Sequence, residues 1–134
     1  IFEMWMEVEL SANADFYGSW STPLIRDIDG CNELIISFPF RVCAFDPATG
    51  KLVWEQRPTG ESSRGTNWSS LMIADGLCYT MTQGGDCFVF KASPQFELVA
   101  SNSLGEHSNS SIVPSDGQLF LRTYQHLWCI GAKK

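Results

Sequence analysis

One spacing constrains this chain more than any other: a set of landmarks recurs three times along its 134 residues. Trp20-Ser21-Thr22-Pro23-Leu24, Trp68-Ser69-Ser70-Leu71-Met72 and Asn109-Ser110-Ser111-Ile112-Val113 each lead, seven to nine residues later, to an Asp-Gly pair: Asp29-Gly30, Asp75-Gly76 and Asp116-Gly117. Two short apolar runs follow each pair and close at Phe45, Phe90 and Ile130, so the copies repeat at intervals of 45 and 40 residues. The tryptophans echo the repeat: Trp5 precedes Trp20 by 15 residues, and Trp54 precedes Trp68 by 14. Self-similarity at this period marks a chain built from one supersecondary unit used several times.

The unit is made of strands. Leu34–Phe38, Val42–Phe45, Leu77–Met81, Cys87–Phe90, Gln118–Leu121 and His126–Ile130 are short runs rich in aromatic and β-branched residues, separated by Gly, Pro, Asp or Asn. No stretch of ten or more residues carries a helical apolar stripe, so the fold class is all-β. Asp-Gly suits the two-residue hairpin turn, because that turn needs positive φ at both central positions. A repeat of 40–45 residues holding four short antiparallel strands has the period of a β-propeller blade. Residues 1–10 supply one outer strand, 18–57 a full blade, 67–101 a second, and 108–130 a third that lacks its outer strand. The expectation is one partial propeller domain over residues 1–134, three blades in all and an incomplete ring.

Ala44-Phe45-Asp46-Pro47-Ala48-Thr49-Gly50-Lys51-Leu52-Val53-Trp54 fits the pattern A-x-D-x-x-T-G-x-x-x-W at every defined position. In this the chain resembles the propellers of the quinoprotein alcohol dehydrogenase-like, or PQQ-repeat, family. The Ser/Thr opening of each first strand, the Asp-Gly hairpins and the closing Leu127-Trp128-Cys129-Ile130-Gly131 look like that family too. The resemblance implies a structural docking motif of Ala44, Asp46, Thr49, Gly50 and Trp54, with Trp5 at the matching position of the first outer strand. The indole would pack between neighbouring blades. The second copy departs from the pattern, with Val99 where the tryptophan would stand.

Nine Lys+Arg against fifteen Asp+Glu leave a net charge of -6, which argues against a non-specific nucleic-acid binder and against an anionic membrane surface. The longest apolar runs span only a few residues, so no membrane-spanning helix is expected. The five cysteines, Cys31, Cys43, Cys78, Cys87 and Cys129, show no C-x-x-C spacing, and two histidines are too few to complete a zinc site with them. They are expected to be reduced, mostly as small buried hydrophobes inside strands. The family implies an extracytoplasmic compartment, whereas unpaired cysteines point to a reducing one.

In antiparallel meanders of this kind alternate turns share one end of the blades. The first end holds Asp27, Asp29, Asp46, Asp75 and Asp116, each explained by turn formation. The opposite end receives Tyr17, Arg64, Asn67, Asp86, His107, Asn109 and His126, and of these Arg64, Asp86, His107 and His126 form the candidate ligand face. Family members that are dehydrogenases bind pyrroloquinoline quinone and Ca²⁺, with a vicinal cysteine pair over the quinone. This chain has no Cys-Cys, so neither a catalytic residue nor a metal ligand is assigned, and no cofactor is expected. No nucleophile elbow or phosphate-binding glycine loop is present either.

Three functions remain in view: a non-enzymatic binding or scaffold module, a fragment or relative of a quinone-dependent alcohol dehydrogenase, and a small-ligand or sugar-binding propeller. Three blades do not close a ring. The expected partner is therefore either a second copy, closing a six-bladed ring in which each outer strand 1–10 completes its neighbour's last blade, or further blades of a longer chain.

Overall fold

Tight turns set the architecture of this chain. The computed structural model describes residues 20–28, 30–60, 67–91, 93 and 95–132. At the second and third Asp-Gly pairs both residues have positive φ (Asp75 50°, Gly76 75°; Asp116 48°, Gly117 74°), the backbone of a two-residue hairpin that follows the strand twist. At the first, Gly30 has φ 83° and its amide donates to Asp27 Oδ1 at 2.9 Å.

Eleven strands lie among the described residues. The first antiparallel sheet runs in sequence order through β1 (Leu24–Ile28), β2 (Cys31–Phe38), β3 (Arg41–Phe45) and β4 (Leu52–Gln56). The second holds β5 (Met72–Ala74), β6 (Leu77–Met81), β7 (Asp86–Lys91) and β8 (Leu98–Ser103). The third holds β9 (Val113–Ser115), β10 (Gln118–Arg122) and β11 (Leu127–Gly131). Each sheet is an open meander, and no described helix is long and apolar enough to cross a membrane. The final strand begins at Leu127, one residue later than its apolar run suggests. His126 instead closes a turn, with its amide donating to Thr123 Oγ1 and its carbonyl accepting from the Thr123 amide at 2.9 Å.

The sheets stack face to face through two cores. Between the first and second lie Ile35, Val42, Ala44, Leu71, Cys78 and Phe90, flanked by Leu24, Trp54, Ile73 and Phe96. Between the second and third lie Met72, Met81, Cys87, Ile112 and Leu121, flanked by Tyr79, Leu104 and Trp128. Strand alternation makes this sharing possible: on β6, Cys78 enters one core and Met81 the other. Asn67 adds a polar tie inside the first junction, where its Nδ2 donates to Ser37 Oγ on β2 and, at 2.8 Å, to Thr80 Oγ1 on β6. All three residues are buried, so a satisfied network here fixes how the sheets meet.

The cysteines divide. Cys43, Cys78 and Cys87 are buried, whereas Cys31 and Cys129 are exposed although both stand in strands. Cys31 lies at the hairpin end of β2, and Cys129 lies on the face of the third sheet turned away from the second. All five are free thiols.

Candidate functional site

The turns β2–β3, β6–β7 and β10–β11 lie at one end of the blades, together with the segments that lead from one blade to the next. The segment between β8 and β9 is threaded across two of these turns. Leu104 N–H donates to the Gly85 carbonyl, Ser108 N–H to the Gln83 carbonyl, and Tyr124 N–H to the His107 carbonyl, all at 2.9–3.1 Å. This close approach explains Gly85: its φ is 90°, and a Cβ there would sit 2.2 Å from the Glu106 carbonyl oxygen.

Two side-chain groups result. In the first, Gln83 Nε2 donates to Asn109 Oδ1 at 3.0 Å, and Asn109 Nδ2 donates to the Tyr124 hydroxyl at 3.1 Å. His107 Nδ1–H reaches the Gln83 carbonyl at 3.2 Å, and its ring lies 6.1 Å from that of Tyr124. Tyr124 is 65% exposed, so an aromatic surface backed by amides faces the solvent. In the second, His126 Nδ1 pairs with the Glu106 carboxylate, and the His126 ring lies 5.7 Å from Trp128. Trp128 Nε1 donates to Thr123 Oγ1 at 3.1 Å. The Thr123 hydroxyl and the His126 imidazole hold the Glu106 carboxyl below the ordinary carboxylate range.

Three of the four candidates lie among the described residues. His107 and His126 take part in the two groups. Asp86 is buried at the start of β7, against Gly60 in the first junction, and joins neither. Arg64 lies outside the described residues, as do Trp5, Tyr17, Asp29 and the whole of 1–10. Glu106 and Tyr124 were not singled out from the sequence, because the contacts that give them meaning span 20 and 15 residues. The repeat could have found Tyr124, since it stands 41 residues after Gln83 at the matching turn position.

A second feature of this end is a cavity of about 20 Å³ in the first junction, lined by Phe38, Phe40, Arg41, Asn67, Thr80 and Phe88. That is room for one water molecule. Arg41 lies 5.4 Å from the centre of the Phe38 ring and is bridged to Glu55 at 3.2 Å.

At the docking motif, Asp46 Oδ1 accepts the amides of Ala48 (2.8 Å) and Thr49 (3.2 Å), and Gly50 N–H donates to the Asp46 carbonyl at 2.8 Å. The Ala48 amide, foremost, holds the Asp46 carboxyl below its usual range. Trp54 is half-buried. Its indole lies 6.4 Å from Phe90 and 5.8 Å from Phe96, both of the next blade, and Nε1 donates to Glu33 Oε2 at 3.3 Å. Trp20 and Trp68 pack against one another at a tilt of 46°, their centroids 4.4 Å apart.

As chemistry, the loop end offers hydrogen-bond donors, acceptors and aromatic faces. Among the described residues, no group of three or more His, Cys, Asp or Glu is placed to hold a metal ion. The sequence also holds no two adjacent cysteines.

No protein-family model matches the chain, and no curated protein does. Solved structures do. BamB from Moraxella catarrhalis superposes with a TM-score of 0.61 at 14% identity, over 85% of this chain and 36% of that one. A europium-containing methanol dehydrogenase superposes with a TM-score of 0.60 at 16% identity, over 87% of this chain and 22% of that one. The chain therefore spans about a third and about a fifth of the lengths of these two structures. At such identities the likeness is one of fold.

Proposed function

We propose, for a chain whose fold is that of a partial PQQ-repeat-type β-propeller, that it serves as a non-enzymatic binding or scaffold module displaying the loop end of its blades. The observation that carries this reading is the hydrogen-bonded group Gln83–Asn109–Tyr124, which spans two blades and leaves the Tyr124 ring exposed. Side chains already tied to one another present a preorganised surface, which suits recognition. A working acid–base pair would instead be set beside a reacting group. The exposed Tyr124 ring beside an amide and an imidazole also supports a narrower reading, a small polar ligand such as a sugar stacked on the aromatic face.

The competing reading is a quinone-dependent oxidoreductase, prompted by the methanol dehydrogenase among the similar structures. Against it stands the absence, among the described residues, of any group of three His, Cys, Asp or Glu placed to hold the quinone's cation. The two readings separate in one titration of the 134-residue chain with pyrroloquinoline quinone plus Ca²⁺, repeated with Eu³⁺, followed by tryptophan fluorescence and quinone absorbance. No saturable change is expected up to about 100 μM. Saturable one-to-one binding would overturn the scaffold reading.

A further inference from the structure

The blades differ in how they guard their outer edges. β8 is the outer strand of the middle blade, and no described strand pairs with its far side. All its residues but Ala100 are exposed, and the run from Leu98 to Gly105 carries no charge. β4, the outer strand of the first blade, is guarded instead by Glu55, bridged to Arg41 and to Arg57, both at 3.2 Å. Charged side chains on an edge are a common device against unwanted strand pairing. A sheet packs on either face of the middle blade, so the β8 edge lies on the rim and stays open whichever blades lie beyond the first and third sheets.

The backbone of β8 determines which groups that edge offers. Leu104 N–H donates to the Gly85 carbonyl at 3.0 Å, and Asn102 and Ala100, at two-residue steps before it, stand opposite Cys87 and Val89. Their N–H and C=O groups therefore face β7, whereas those of Ser101 and Ser103 face outward. The register shift beside Val89 and Phe90 leaves Val99 as an extra residue, so the regular edge begins at Ala100. An edge of unpaired backbone groups takes one kind of occupant, another extended strand.

We propose that this occupant is β8 of a second copy of the chain, paired antiparallel with Asn102 opposite Asn102 across a two-fold axis. In that register Ser101 lies opposite the copy's Ser103, and Ser103 opposite the copy's Ser101. Each of these pairs exchanges both of its outward N–H···O bonds. Ala100 then lies opposite the copy's Leu104. What favours a second copy is that the edge is its own complement: small polar residues meet small polar residues, Ala meets Leu, and no charge meets a like charge. The contact is isologous and closes at two copies. An edge buries little area, so the association is weak, with a Kd of about 100 μM. The inference concerns assembly at the rim, so the quinone titration tests the scaffold reading independently of it.

Sedimentation equilibrium of the 134-residue chain, with charge placed at the axis, tests it. The parent mass is expected to rise from 15.0 kDa toward twice that value between about 10 and 500 μM. Asn102→Lys and Asn102→Glu, at an exposed site, each set like charges directly opposite one another and are expected to hold the mass at 15.0 kDa, with an unchanged far-ultraviolet circular dichroism spectrum. Asn102→Ser should associate as the parent does. An equimolar mixture of the Lys and Glu variants should associate about tenfold more tightly than either alone, because the two charges then face as a pair. Amide exchange of the parent should slow at Ser101 and Ser103 as its concentration rises, and not at Asn102, whose N–H already faces β7. A parent that stays monomeric at about 500 μM would overturn the proposal. So would a dimer indifferent to Asn102→Lys, or a mixture that associates no more tightly than its components.

Discussion

Trp54 shows how much one side chain can depend on a neighbouring blade. Its ring leans on Phe90 and Phe96, and its N–H is held by Glu33 of its own sheet. Trp54→Ala is expected to lower stability by about 3 kcal/mol, the low end for a large aromatic because the ring is half-buried. For a domain of this size that is a fall of roughly 10 °C in Tm, read by thermal unfolding. A second residue-scale expectation concerns the thiols. Burial pushes Cys43, Cys78 and Cys87 up to about 11, so they are protonated and shielded at pH 8. A maleimide should label two sites per native chain, Cys31 and Cys129, and five after denaturation. The motif that singles out Trp54 in the sequence is local: turn, glycine and indole lie within eleven residues. Phe96, which receives the indole, was not legible, since only the stacking of two sheets 40 residues apart gives it that task.

Among the elements, the turns carry the tightest constraints. Gly85→Ala would drive a methyl group into the Glu106 carbonyl at a positive φ, and a loss of at least about 2 kcal/mol is expected. Gly105→Ala faces open space at φ 68°, so only the backbone penalty of about 1 kcal/mol applies. Urea denaturation of the pair separates clash from strain. The Glu106–His126 contact supplies a pH signature. A carboxyl held below 4.5 when folded contributes stability that is present above that value and fades as the pH falls through its lower folded pKa. Glu106→Gln should therefore flatten the Tm-against-pH curve below about pH 4.5 and leave only the shared acid loss from other carboxylates such as Asp46. The second and third Asp-Gly hairpins were readable from two letters because backbone conformation alone demands them. The Glu106 clasp was not, because a loop carboxylate has no local pattern that announces its partner.

At the scale of the whole molecule, stability belongs to junctions between sheets, as in other stacked repeats. The second sheet takes part in both apolar cores and the third in only one. Amide exchange followed by mass spectrometry should thus be slowest in β6 and β7 and faster in β9–β11, with Met81→Ala widening the gap. The repeat spacing made three units readable in the sequence. Spacing alone did not reveal that the middle one has no solvent side.

That missing side has an evolutionary consequence. In a sheet wetted on one face, every other residue is free to drift, and substitutions are tolerated with a period of two. On β7, Asp86 through Phe88 and Phe90 are all buried, whereas on β11 four of five residues are exposed. A saturation screen for soluble expression should accordingly return a band of intolerance from Asp86 through Phe90 of β7 and a permissive record along β11. The described middle blade thus offers substitution fewer free sites than β11 does, and its part of the repeat holds its pattern more tightly.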